Sequence, residues 1–306
     1  MTLAVVFPGQ GSQSVGMLLD IAAEHPSVRD LFVRASDAIG LDLWQIVSEG
    51  PVESLNRTEV TQPALLTASV AVWELLAAAG VRATAMAGHS LGEYSALVAS
   101  GAIDFEDAVR VVRRRGELMQ GAVTVGEGAM AAVLGLDEAE IASACASVDG
   151  VVTPANFNAV GQIVIAGSAN AVALAAEACK TLGAKRVVML DVSVPSHCPL
   201  MRSVEPELAA VLQGVSLRLP SIPVFHNVDA KVSTSTGELT TRLVAQLANP
   251  VRWVDCVQAL ASQGVNKVIE CGPGNVLTGL IKRIDRNLEG VAAGTVSGLQ
   301  SALGHV

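Results

Sequence analysis

The stretch Ala85-Met86-Ala87-Gly88-His89-Ser90-Leu91-Gly92 runs from an apolar segment through a G-x-S-x-G pattern into a helix that continues to Ser100. In that pattern the glycines let a strand turn sharply into a helix, and the turn lifts the serine hydroxyl to the helix N-terminus. Taken alone, the five residues fit an ordinary helix N-cap serine as well as a nucleophile. The segment before them, Thr84-Ala85-Met86-Ala87, carries little β propensity.

A nucleophilic serine needs a base, and the chain offers His25, His89, His197, His226 and His305. His25 and His305 stand in polar or terminal contexts. His89 neighbours the serine on a turn where adjacent side chains diverge, so it reads as structural or as lining the pocket. His226 ends an apolar strand, a place for a hydrogen-bonded, partly buried histidine. His197 sits in Val194-Pro195-Ser196-His197-Cys198-Pro199, where two prolines stiffen the loop, and a base there would face a cleft. Cys198 stands next to that base and not across from it, which makes it a poor nucleophile.

Outward from these motifs, strands and helices alternate. Residues 3–7 read as a strand entering Pro8-Gly9-Gln10-Gly11-Ser12-Gln13, and Ser14 occupies the third glycine position that a dinucleotide fingerprint would need. Residues 14–80 are mainly helical, with an amphipathic stretch from Ala64 to Ala79 that closes at Gly80. A helix from Phe105 to about Gln120 follows. Between Gly126 and Val194 the order is β-α-β-β-α-β, including an acidic helix start at Asp137 with Glu140 three positions on. After Pro195 come a helix over 200–213, a strand over 222–227, helices near 240–247 and after Val251, a strand over 267–271, and Gly272-Pro273-Gly274 opening the last helix. The expected fold is α/β. A large α/β-hydrolase-like domain with a parallel sheet takes residues 1–124 and 195–306, and a small inserted ferredoxin-like subdomain takes residues 125–194. A cleft between the two is the natural place for a ligand.

The 306 residues are 51% hydrophobic but only 3% aromatic, so small aliphatic side chains must fill the core. Mean hydropathy is +0.47, yet charges break up the apolar helices, and no stretch approaches the roughly 20 apolar residues that span a bilayer. The N-terminus has no basic leader and too short an apolar run for a signal peptide, which points to the cytoplasm. Five scattered cysteines, never paired as C-x-x-C, read as buried reduced thiols and not as a metal site. A net charge of −9 argues against nucleic-acid or anionic-membrane binding. Anionic ligands would have to be met locally, by Arg113-Arg114-Arg115 or by Lys282, Arg283 and Arg286, although most such clusters are solvated helix surface.

The motifs together resemble the malonyl-CoA:acyl carrier protein transacylases of fatty acid synthesis. The resemblance covers nearly the whole chain and rests on Phe7 to Gln13, Gln62-Pro63-Ala64, Gly88 to Tyr94, Arg115-Gly116 before Met119-Gln120, Asn156-Phe157-Asn158, Val194 to His197, Asn249-Pro250-Val251 and Gly272-Pro273-Gly274. It implies that Ser90 is the nucleophile and His197 its base, with the imidazole oriented by the backbone carbonyl of Gln246 in place of a triad carboxylate. It further implies an oxyanion hole from the backbone N–H groups of Gln10 and Leu91, and Arg115 as the grip on the malonyl carboxylate. His89, Asn156 and Asn158 would line the substrate site. Malonyl-CoA and an acyl carrier protein would be the partners, with no metal or redox cofactor. The carrier is expected to dock on a local basic patch including Lys282, Arg283 or Arg286.

Three other readings stand beside this one. An esterase or thioesterase would use the same elbow with a triad acid, for which Asp191 is the nearest candidate. A malonate decarboxylase subunit or polyketide acyltransferase would load another carrier or acyl group. A non-catalytic scaffold would have no reason to keep Ser90, His197 and Arg115 together.

Overall fold

The computed structural model describes residues 2–192 and 194–305; Met1, Ser193 and Val306 lie outside the described residues. Its strands are β1 (Leu3–Phe7), β2 (Ala85–Gly88), β3 (Gly128–Leu134), β4 (Val152–Ala159), β5 (Gln162–Ser168), β6 (Arg186–Met189), β7 (Val224–Phe225), β8 (Lys267–Glu270) and β9 (Glu289–Ala292). They form two sheets, making an α/β fold with one parallel and one separate antiparallel sheet.

The parallel sheet has the order β7-β2-β1-β8-β9. Every residue of β1 and β2 is buried, as expected of central parallel strands covered on both faces by helices. β2 forms despite its weak propensity because it is paired on both sides, with β1 and with β7. Phe7 and Gly88 are register partners at the ends of β1 and β2. The Pro8–Gln13 loop and the Ser90 turn therefore leave the carboxyl edge of the sheet side by side, where open α/β sheets hold ligands.

The antiparallel sheet has the order β4-β5-β3-β6. The helices Glu138–Ala146 and Ala169–Thr181 pack against it over a separate apolar cluster that includes Ile141, Ile165, Val172 and Cys179. The acidic helix start is a capping box: Asp137 and Glu140 each accept a backbone N–H of the other. Val251 ties this sheet to the rest of the protein, since its N–H donates to Ala155 and its carbonyl accepts from Phe157, both at 2.9 Å. All five cysteines are buried and free.

Several expectations need correction. The helix over Thr58–Ala78 is not amphipathic; it is buried on nearly every face, with Pro63 inside its first turns. By length and hydropathy it could cross a membrane, contrary to the expectation that no stretch comes near that, but 83% of its apolar window is buried inside the protein. The segment after Cys198 begins as a 3-10 turn, Pro199–Val204, before the α-helix Glu205–Gln213. β6 stops at Met189, and β7 pairs only at Val224 and Phe225. The helix Val276–Ile284 is not the last, because β9 and the helix Val296–Gly304 follow it. β9 is an edge strand of sequence Glu-Gly-Val-Ala, with neither alternation nor β-branched density to announce it.

The two glycines of the elbow are required by contact. A Cβ on Gly92 would sit 2.0 Å from the Phe7 carbonyl oxygen, and one on Gly88 would sit 1.9 Å from the Gly92 carbonyl carbon. Backbone lies on both sides of each clash, so a methyl cannot be accommodated by a side-chain movement. Gly92→Ala is expected to lower stability by about 3 kcal/mol, as overpacking against rigid backbone does; urea unfolding followed by circular dichroism would measure it.

Candidate active site

Ser90 sits between β2 and the helix Gly92–Ala99 with φ +52°, a left-handed conformation unusual for a residue with a side chain. Two carboxamides hold this strained turn in place, Asn227 and Gln246, the latter donating from Nε2 to the Ser90 carbonyl at 3.0 Å. Asn227 Oδ1 accepts the Ser90 N–H at 2.7 Å, and Asn227 Nδ2 donates to the Gly88 carbonyl at 2.7 Å. The hydroxyl thus points outward over the N-terminus of the helix.

His197 is buried and lies 2.7 Å by its Nε2 from Ser90 Oγ. Its Nδ1 is 2.7 Å from the Gln246 backbone carbonyl. A carbonyl can only accept, so Nδ1 carries the proton and Nε2 presents a lone pair to the serine hydroxyl. Burial, and secondly the positive charge of Arg115, push the His197 pKa down to about 3. The ring is therefore a neutral base at any physiological pH. With Nδ1 engaged by a carbonyl, Asp191 has no place as a triad acid; it is exposed at the cavity rim.

Arg115 lies on the helix Phe105–Gly121 and is fully buried. Gly116 permits this, because a Cβ there would be 2.6 Å from Glu59 Cα, so the two helices cross nearly backbone to backbone. Arg115 Nη1 donates to Gln62 Oε1 at 2.8 Å, and Nη2 donates to Gln246 Oε1 at 2.8 Å and to Ser90 Oγ at 3.3 Å. Its guanidinium also lies 5.5 Å from the centre of the Tyr94 ring. Burial lowers its pKa, but a guanidinium keeps its proton in a protein. Among the described residues its Nε has no acceptor. Arg114, by contrast, is exposed and pairs with Glu117 and Glu207, and the half-buried Arg113 pairs with Glu117.

Ser90 and His197 open onto a cavity of about 510 Å³, lined also by Gln10, His89, Asn156 and Asn158, and Arg115 lies behind Ser90, outside that lining. His89 Nε2 donates to Asn158 Oδ1 at 2.7 Å, and burial lowers the His89 pKa. Leu91 follows Ser90 at the helix start. The backbone N–H groups of Gln10 and Leu91 have no protein acceptor among the described residues. His226 is fully buried, bonded to Glu93 and to Ser233, in keeping with a core histidine. Lys282, Arg283 and Arg286 line a different cavity of about 1020 Å³, shared with Lys185 and with the carboxylates Asp137 and Glu140. The tip of the β4–β5 hairpin, Val160 to Gln162, borders that second cavity, two residues beyond Asn158.

Sequence reasoning gave no role to the side chains of Gln62, Glu93, Asn227 and Gln246. Only the helical repeat held a usable signal nearby: Arg115 falls four residues after Val111, three after Val112 and four before Met119, all on the buried face.

The sequence profile of the acyl transferase domain matches residues 4–302. The malonyl CoA-acyl carrier protein transacylase of Escherichia coli (strain K12) is 54% identical over 303 residues, covering 98% of both chains. That of Bacillus subtilis (strain 168) is 42% identical over 98% of this chain and 96% of its own. Among solved structures, a malonyl-transacylase in complex with a type II PKS acyl-carrier protein superposes with a TM-score of 0.99 at 50% identity, over 100% of both chains. An acyl carrier protein S-malonyltransferase from Vibrio cholerae gives 0.96 at 51% identity, over 99% of this chain and 100% of the other. By sequence and by fold, this chain is an enzyme of the acyl transferase domain family and belongs with the malonyl CoA-acyl carrier protein transacylases.

Proposed function

We propose that the enzyme transfers malonyl from malonyl-CoA to the phosphopantetheine thiol of an acyl carrier protein, in two half-reactions through a malonyl ester on Ser90, and so supplies fatty acid biosynthesis. One observation carries the reading: a fully buried guanidinium lies 3.3 Å from a serine hydroxyl that is itself 2.7 Å from a neutral histidine nitrogen. An acyl group bound to that oxygen would find a cation a short distance away. A terminal carboxylate is rewarded there, and an acetyl group leaves the charge unpaired.

Ser90 Oγ attacks the thioester carbonyl while His197 Nε2 takes its proton. The carbon–sulfur bond then breaks, and His197 returns the proton to the departing CoA sulfur. The carrier thiol enters the same cavity, gives its proton to His197 and attacks the ester, and Ser90 recovers its proton as the ester bond breaks. The backbone N–H groups of Gln10 and Leu91 serve as the oxyanion hole, a kind of contribution worth roughly 3–4 kcal/mol per donor. The Gln246 carbonyl holds the imidazole tautomer through both passes. His89 and Asn158, joined to each other, and Asn156 shape the wall that the substrate meets. A thioesterase is disfavoured because such an enzyme acting on neutral acyl groups has no use for Arg115 in this position.

The carrier is acidic by nature, so the cavity edge formed by Lys282, Arg283 and Arg286 is its proposed dock, close to the hairpin tip that leads to Asn158. We also read the antiparallel sheet as a ferredoxin-like subdomain over residues 125–194, set into a hydrolase-like domain of residues 1–124 and 195–306; its strand order β4-β5-β3-β6 supports this. The enzyme is placed in the cytoplasm.

Four outcomes are expected. Incubation with malonyl-CoA alone should give one malonyl adduct, mapped to Ser90 by peptide mass spectrometry and discharged by added carrier; steady release of free malonate with no adduct would contradict transfer. Arg115→Gln should cut kcat/KM for malonyl-CoA by about 10–100-fold, the worth of a charge-assisted hydrogen bond, while sparing acetyl-CoA. Because the His197 pKa is depressed, kcat/KM should stay level as pH falls through 6.5 and decline only well below it, and Arg115→Gln should move that decline upward. Charge reversal at Lys282, Arg283 and Arg286 should raise KM for the carrier and leave that for malonyl-CoA unchanged.

A further inference from the structure

Behind the serine elbow lies a second charge that the mechanism does not use. Glu93 is fully buried, as are its partners His226, Asn227 and Gln246. Its Oε1 accepts from His226 Nδ1 at 2.7 Å, and its Oε2 accepts from the Asn227 backbone N–H at 2.9 Å and from Gln246 Nε2 at 2.8 Å. The Asn227 backbone N–H and the Gln246 amide nitrogen can only donate, which is the environment of a carboxylate, and the His226 ring joins them in its Nδ1–H form.

Glu93 and Arg115 make no direct ion pair. Between them stands the Gln246 amide, whose Nε2 donates to Glu93 and whose Oε1 accepts from Arg115, each at 2.8 Å. Neither end can be reversed. A guanidinium only donates and a carboxylate only accepts, so a flipped amide would set nitrogen against nitrogen and oxygen against oxygen. The two buried charges thus polarise one amide in the same direction, and each offsets part of the other's burial cost. The same carboxylate reaches the elbow through Asn227, whose side chain holds the Ser90 N–H.

We propose that Glu93 is a positioning residue for acyl-group selection: through the Gln246 amide it anchors Arg115 so that the guanidinium faces Ser90. This rests on the reading that Arg115 takes the substrate carboxylate. Loss of the carboxylate removes the charged acceptor of the amide, leaving its Nε2 only the Ser90 carbonyl at 3.0 Å and a longer contact to Asn227 Oδ1, and leaves Arg115 a buried cation without the carboxylate that offsets it. Selection should then fail even though Ser90, His197 and the Gln246 carbonyl are untouched.

The test is Glu93→Gln, which keeps shape and a hydrogen-bonding group but removes the charge. The preference for malonyl-CoA over acetyl-CoA, as a ratio of kcat/KM values, should fall by at least about tenfold. A merely structural role would lower both rates together and leave the ratio alone, and that result overturns the proposal. The second readout is the melting temperature of Glu93→Gln, Arg115→Gln and the double variant. Coupled charges require the double variant to lose less melting temperature than the two single losses added together, and where Glu93→Gln alone does not fold, the double variant should regain a folding transition. Additive losses would overturn the proposal. A wild-type enzyme with no malonyl preference would instead overturn the substrate reading, and the melting series would still decide whether the two charges are coupled.

Discussion

A guanidinium cannot give up its proton inside a protein, and here one is fully buried. Its donors must therefore find acceptors, and much of the surrounding structure is arranged to supply them. Gln62 comes from the long core helix, Gln246 from the end of the Thr236–Ala245 helix, and Ser90 from the elbow. The Tyr94 ring faces the same cation, and burial pushes the Tyr94 hydroxyl pKa up to about 12 against the opposing pull of Arg115. Three segments far apart in sequence are drawn to one point by a single charge.

The same charge tunes the base. Burial and Arg115 act in one direction on His197, keeping the imidazole neutral with its Nε2 lone pair toward the serine hydroxyl. The carbonyl of Gln246 fixes the imidazole and its side chain meets Arg115, so one residue serves both base and cation. On the proposed reading, a carboxylate at Nδ1 would bring a further buried anion beside the substrate carboxylate and repel it. A carbonyl orients the ring without that penalty.

The outline of this arrangement was legible because it is local. The G-x-S-x-G turn, the proline-framed His197 loop and the capping box at Asp137 are each written in a few adjacent residues, and each forms where expected. The inward aim of Arg115 was half legible: its spacing from Val111, Val112 and Met119 places it on the buried face, but a run of three arginines reads first as surface. The partners of Glu93 could not be read at all. His226 and Gln246 lie 133 and 153 residues away, and only the pairing of β7 with β2 brings the former alongside the elbow. β9 and the last helix were missed for a related reason, since a short edge strand draws its order from the neighbour it pairs with, β8, more than from its own side chains.

The central claim is that the buried Arg115 guanidinium receives the free carboxylate of an acyl group carried on Ser90. A crystal structure of the malonyl-enzyme, formed from the unmodified protein and malonyl-CoA with no carrier present, tests it most directly. The expected result is the malonyl carboxylate within hydrogen-bonding distance, about 3 Å, of the Arg115 nitrogens, with the ester carbonyl oxygen facing the Gln10 and Leu91 backbone N–H groups. A malonyl ester on Ser90 whose carboxylate points to solvent, away from Arg115, would contradict it.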